Sequence, residues 1–207
     1  MPLRIAVVGA GGVGGWFGAR LALLGADKVE VTFVVRPGAH ERALRSTGLR
    51  VIEPSRDFTI ASPRLVTTDE LLAGAAAPDG FDVVLVCVKG YHLEAVLPVI
   101  KALLRPAGAR PTAVLPLLNG MDAPTILARG LGSADAVLGG LCLILAEIQS
   151  PGTILLRREP PTITFGELSP APGPLSDVVA RLRSALLEVG KAPQAKTILV
   201  NPRRLPW

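Results

Sequence analysis

Short, wholly apolar runs alternate with amphipathic stretches along the first two-thirds of the chain. Ile5–Val8 is apolar at every position, as a parallel strand covered on both faces must be. Val13, Phe17, Leu21 and Leu24 then recur at helical spacing, with Gly25 placed to end the helix. Val29–Val35 is a second strand, followed after Pro37-Gly38 by a short helix over 41–46. "LRVIEP" and "DFTIASPRLV" read as a strand pair joined by a polar turn at Ser55-Arg56. "DELLAG" is a short helix and "FDVVLVCVK" a further buried strand. "LEAVLPVIKALL" is an amphipathic helix with Val96, Ile100 and Leu103 on one face, and "TAVLPLL" is the next strand. Asp122 is placed to cap the following helix, with Pro124 in its first turn.

This alternation predicts a doubly wound α/β sheet. Near Ala136 the rhythm changes. "AVLGGLCLILAEI", "GTILLRR" and "PTITFGEL" are three strand-like runs without intervening helices, expected to extend the sheet with antiparallel partners. "SPAPGP" is a stiff loop. Ser176 then caps a helix bearing Val178, Leu182, Leu186 and Leu187, closed by Gly190.

Composition narrows the class. The 207 residues are 49% hydrophobic, with a mean hydropathy of +0.45, enough for one full domain and too apolar for disorder. The apolar runs are shorter than a membrane span. Cys87 and Cys142 lie in apolar runs and read as reduced, buried thiols of a cytoplasmic protein. The net charge is +5. The arginines are scattered and aromatics make up 4%, so the basicity suits a small polyanion better than nucleic acid.

The polyanion has a place in "VVGAGGVGG". Gly9, Gly11 and Gly14 satisfy G-x-G-x-x-G between a buried strand and an amphipathic helix. Gly9 permits the tight turn, Gly11 lets a pyrophosphate approach the backbone, and Gly14 lets the helix pack closely on the strand. A bare strand-to-helix turn is the plain alternative. The second strand selects the dinucleotide. Its acid, Glu30, stands at the beginning, about 20 Å from the carboxyl end. Arg36 stands at that end, where a guanidinium suits a 2′-phosphate, so NADP(H) is the expected cofactor. Lys89 follows the fourth parallel strand and Asn119 the fifth, at the strand ends that form ligand sites in such sheets. Each could equally be a turn residue. His40 and His92 read as surface residues at helix starts.

The ordered set "IAVVGAGGVGG", "VVRPGAH", "DVVLVCVKGYHLEAVLPVI", "LPLLNGM" and "VLGGLCLILAEIQSPGTI" resembles the ketopantoate reductase family over about residues 3 to 168. The resemblance implies a Rossmann-like domain at 1–168, and NADPH-dependent reduction of a small 2-keto acid, ketopantoate, to pantoate. It implies that Gly9, Ala10, Gly11, Gly12, Val13 and Gly14 hold the pyrophosphate and Arg36 the 2′-phosphate. Lys89 and Asn119 would lie beside the nicotinamide ribose and substrate, Asn119 as the catalytic residue, and Ala146 would touch the cofactor through its backbone. The family continues into a helical domain whose Trp-x-Lys lysine acts as general acid. Here the sequence stops at Trp207, and Pro202 and Pro206 stand where the family runs a helix. Residues 169–207 are therefore expected to be a helix and tail leading toward that domain. The chain as given is expected to bind cofactor while being catalytically incomplete, and to associate as a homo-oligomer through apolar surface around 176–189. Other readings are a non-catalytic NADP(H) module or another 2-hydroxy-acid dehydrogenase.

Overall fold

The computed structural model describes residues 1–74, 80–106, 108–168, 173–190 and 199–201. The elements run β1 (Leu3–Val8), α1 (Gly12–Ala22), β2 (Val29–Val35), α2 (Ala39–Thr47), β3 (Leu49–Ile52), β4 (Asp57–Ile60), β5 (Arg64–Thr67) and α3 (Thr68–Leu72). There follow β6 (Val83–Val86), α4 (Leu97–Leu103), β7 (Ala113–Pro116), α5 (Ala123–Leu131), β8 (Leu138–Ser150), β9 (Thr153–Glu167), α6 (Ser176–Gly190) and β10 (Leu199–Asn201).

Five parallel strands form the first sheet in the order β5-β2-β1-β6-β7. The strand order reverses at β1, which opens a crevice beyond the carboxyl ends of β1 and β6. Side chains alternate across this sheet. Ile5 and Val7 of β1 join Trp16, Phe17, Leu44 and the apolar face of α6 in one core. Ala6 and Val8 face the other way and meet Leu71, Ile100, Leu103 and Leu127 of α3, α4 and α5. Helices on both faces explain why Ile5–Val8, β6 and β7 carry no polar stripe, while β2 keeps Glu30 and Thr32.

The second sheet is mixed, ordered β10-β9-β3-β4, with β8 paired antiparallel to β9. The first sheet continues beyond β7 through one parallel bridge, Val114–Val137, before the chain turns into β8. The two runs expected as separate strands, "GTILLRR" and "PTITFGEL", are one strand, β9. Pro161 does not end it because it falls at a bulge: Leu143 pairs with Thr162 and Leu145 with Arg158, so one residue of β8 faces three of β9.

"DFTIASPRLV" is not one strand of a hairpin. β4 pairs antiparallel with β3, with Glu53 N donating to Arg56 O across the turn. The chain then bends at Pro63, and β5 leaves to pair in parallel with β2. The helix expected over 93–104 is α-helical only from Leu97; residues 90–96 form two 3₁₀ turns. Pro98, lacking an N–H, cannot bond back into the preceding turn. Asp122 precedes α5 but makes no side-chain cap. Ser176 turns its hydroxyl to Glu167 Oε2 (2.6 Å).

Val178, Leu182 and Leu186 of α6 are fully buried against the first core. The apolar surface expected around 176–189 is thus covered from within the chain. The exposed apolar row lies instead on β8, at Leu141, Leu143 and Leu145. The loop "SPAPGP" falls largely, and the tail prolines entirely, outside the described residues. Among the described residues, no helix is long and apolar enough to cross a membrane.

Candidate functional site

Each glycine of the first turn meets a different physical demand. Gly9 has φ +95°, which disfavours any side chain, while its N–H extends the ladder to Val34 O (2.9 Å). A Cβ on Gly14 would overlap Gly9 O and press on Val7 and on the Cβ of Cys87 at 2.9 Å. That contact sets how closely α1 lies on the sheet. A Cβ on Gly11 would meet nothing within 4 Å. The space beside Gly11 is open, as an approaching pyrophosphate requires.

Gly11 is also the extended residue that immediately precedes α1, its N-cap. No side chain caps this end, and no acid stands in the first turn. The first amides of the helix therefore face the crevice at the positive end of its dipole, the arrangement that binds anions.

The fourth glycine of the turn has a reason that the G-x-G-x-x-G template does not contain. A Cβ on Gly12 would overlap the carbonyl of Ala146 on β8 and come within 2.8 Å of Glu147 N. Register shifts on both sides of Leu145 bend β8 at this point. The structure thus places Ala146 backbone to backbone with the glycine turn.

The remaining sequence-derived residues line the same edge. Arg36 follows the last residue of β2 and is exposed, without a hydrogen bond or ion pair to another described residue. Glu30, at the far end of that strand, is paired with Arg64. Lys89 and Asn119 are exposed in the loops after β6 and β7. Their loops meet: a Cβ on Gly90 would lie 3.6 Å from Asn119 O. Ala10 is buried beneath the turn, and Val13 is half-buried.

His40 is not the surface residue the sequence suggested. It is half-buried, with Nε2 2.9 Å from Ala10 O and Nδ1 accepting from Gly152 N at 3.1 Å. Burial lowers its pKa below the ordinary 6.5, opposed by the bond to Ala10. The available signal was its position four residues after Arg36, on the first turn of α2. Behind the turn, Trp16 Nε1 and Arg20 donate to the Glu53 carboxylate at 2.7 and 2.8 Å. This buried network ties α1 to the end of β3.

A family model for ketopantoate reductase PanE/ApbA matches residues 5–170. The uncharacterized oxidoreductase YkpB of Bacillus subtilis is 34% identical over 165 residues, covering 80% of this chain and 49% of that protein. A 2-dehydropantoate 2-reductase of Halobacterium salinarum is 28% identical over 205 residues, covering 99% of this chain and 60% of that protein. The crystal structure of a 2-dehydropantoate 2-reductase from Porphyromonas gingivalis superposes with a TM-score of 0.79 at 33% identity, covering 99% of this chain and 65% of that one. The chain therefore spans about half to two-thirds of the length of these relatives.

Proposed function

Because the chain belongs to the ketopantoate reductase family of oxidoreductases, we propose that it forms the NADPH-holding part of an enzyme that reduces a 2-keto acid, with ketopantoate the first substrate to try. The carrying observation is the open space beside Gly11 at the uncapped, acid-free start of α1, set at the point where the strand order reverses. A pyrophosphate there would accept bonds from the first amides of α1. Arg36, held by no described partner and remote from Glu30, suits the 2′-phosphate of NADP(H).

When bound, NADPH supplies the hydride. Lys89 offers a positive charge to the substrate carboxylate or the developing alkoxide, and Asn119 a hydrogen bond that orients the reacting carbonyl. An amide cannot release a proton at neutral pH, so Asn119 positions the carbonyl while a separate acid protonates it. The backbone of Ala146 borders the nicotinamide side of the turn.

The test is a pair of fluorescence titrations with NADPH and NADH, followed by NADPH oxidation at 340 nm with ketopantoate and other 2-keto acids. Saturable NADPH binding is expected. Failure of both nucleotides to bind would overturn the reading.

A further inference from the structure

We infer that His40 is a positioning residue for the dinucleotide, a neutral clamp that aims the Gly11 amide and ties the glycine turn to the β8–β9 hairpin; this rests on the reading above. The ring joins two backbone groups of opposite kind. A carbonyl can only accept, so Nε2 must carry the hydrogen that bonds Ala10 O (2.9 Å). An amide can only donate, so Nδ1 must present a lone pair to Gly152 N (3.1 Å). Only the neutral Nε2–H tautomer satisfies both.

The bond to Ala10 reaches further than Ala10. In a planar trans peptide the N–H of Gly11 points opposite to the C=O of Ala10. Holding that oxygen on the α2 side therefore aims the Gly11 N–H away from α2. Gly11 is the residue with open space beside it. The second bond fixes the hairpin turn. Gly152 has φ +80°, and its own carbonyl accepts from Arg50 N of β3 (2.9 Å). From that turn β8 runs back to place Ala146 O against Gly12. His40 also sits four residues after Arg36, so the same ring anchors the start of α2 behind that loop.

Protonation of Nδ1 would set an N–H against the Gly152 N–H and open the clamp. The groups facing the ring from other elements are the Ala10 carbonyl and the Gly152 amide. Charged side chains of the surrounding segments are engaged elsewhere: Glu41 with Arg45, Arg50 with Asp57, and Glu147 with Arg157. Arg36 and Arg42 are exposed. Desolvation leads the shift of the ring below its ordinary value, so the clamp holds at neutral pH and is lost as the pH falls beneath about 6.5.

The experiment compares wild type with His40→Gln, whose amide keeps one acceptor and one donor but does not titrate. NADPH affinity is measured by titration from about pH 7.5 down through the pH at which ¹⁵N NMR of the nucleotide-free chain shows the ring becoming protonated, and the same spectra give the ring tautomer. Comparing the two proteins cancels the titration of the nucleotide's own phosphate near about pH 6. Wild type is expected to lose about fivefold more affinity than His40→Gln on acidification, the worth of one hydrogen bond. NMR is expected to show the Nε2–H tautomer. An Nδ1–H tautomer, or an equal pH response in the two proteins, overturns the clamp while leaving the dinucleotide reading standing. Absence of NADPH binding to wild type at neutral pH overturns that reading, and the ring's role with it.

Discussion

The carbonyl of Ala146 occupies the space into which a side chain on Gly12 would grow. Strand β8 and helix α1 therefore touch backbone to backbone at the glycine turn, while the adjacent Gly11 borders open space. Neighbouring glycines thus answer to different constraints, one internal to the fold and one turned outward.

That difference separates two substitutions. Gly12→Ala forces α1 and β8 apart and is expected to cost about 1–3 kcal/mol of stability, as overpacking does. Gly11→Val grows into open space from an extended backbone. It is expected to leave the melting temperature of the nucleotide-free protein nearly unchanged while abolishing NADPH binding. Thermal scans with and without NADPH check both. Equal melting losses would show that Gly11 is only part of a turn.

Arg36 sets a second expectation. NADPH should bind more tightly than NADH, and Arg36→Ala should remove about 1–3 kcal/mol of that preference, the worth of a charged hydrogen bond. Equal wild-type affinities for the two nucleotides would exclude a 2′-phosphate role.

The Arg20–Glu53 pair is fully buried, at 3% and 0% side-chain exposure. Removing one partner leaves the other charge stranded, so Glu53→Ala is expected to destabilise by about 3–5 kcal/mol. The double variant Arg20→Met, Glu53→Leu should lose less than Glu53→Ala alone, because no charge remains buried. Urea unfolding of the two proteins checks the order, and the reverse order would contradict a desolvated pair.

Burial pushes the Cys142 thiol up to about 11 and Cys87 higher still. At about pH 8 only about one Cys142 in a thousand is then thiolate, the reactive form. Labelling with a disulfide reagent should be slow in the native protein and complete in denaturant. It should speed up as the pH rises toward about 11. Rapid native labelling at pH 8 would mean that the packing around these thiols opens.

The row Leu141, Leu143 and Leu145 is 53%, 67% and 57% exposed. Apolar rows of this kind seek cover, and a second copy of the chain is the cover expected here. Leu143→Lys should lower the mass measured by light scattering. A monomeric wild type at high concentration would refute this.

The parallel sheet was legible because its strands are short and rich in apolar, β-branched residues. Val29–Val35 was bounded correctly on that signal alone. The glycine turn was legible because anion binding by amides needs glycines at a fixed spacing. The second sheet was harder, since two of its features depend on partners distant in sequence. Pro161 is tolerated only because β9 itself bulges there against β8, and β5 parts from β4 because β2 offers it an edge. The same holds for His40: its place four residues after Arg36 sets it near the crevice, but its two partners lie 30 and 112 residues away.

Helix α1 has a consequence for how the molecule comes together. Four of its eleven residues, Gly12, Gly14, Gly15 and Gly18, are glycine. Relative to alanine they cost an isolated helix about 4 kcal/mol in all. Alone, the segment stays unwound. It winds only against surfaces already in place: Val7 and Cys87 under Gly14, Phe33 under Gly18, and Ile154 under Gly15. Ile154 lies on β9, far along the chain. During synthesis, then, this turn waits for a strand made much later. The nucleotide can reward the finished domain but cannot guide its early folding.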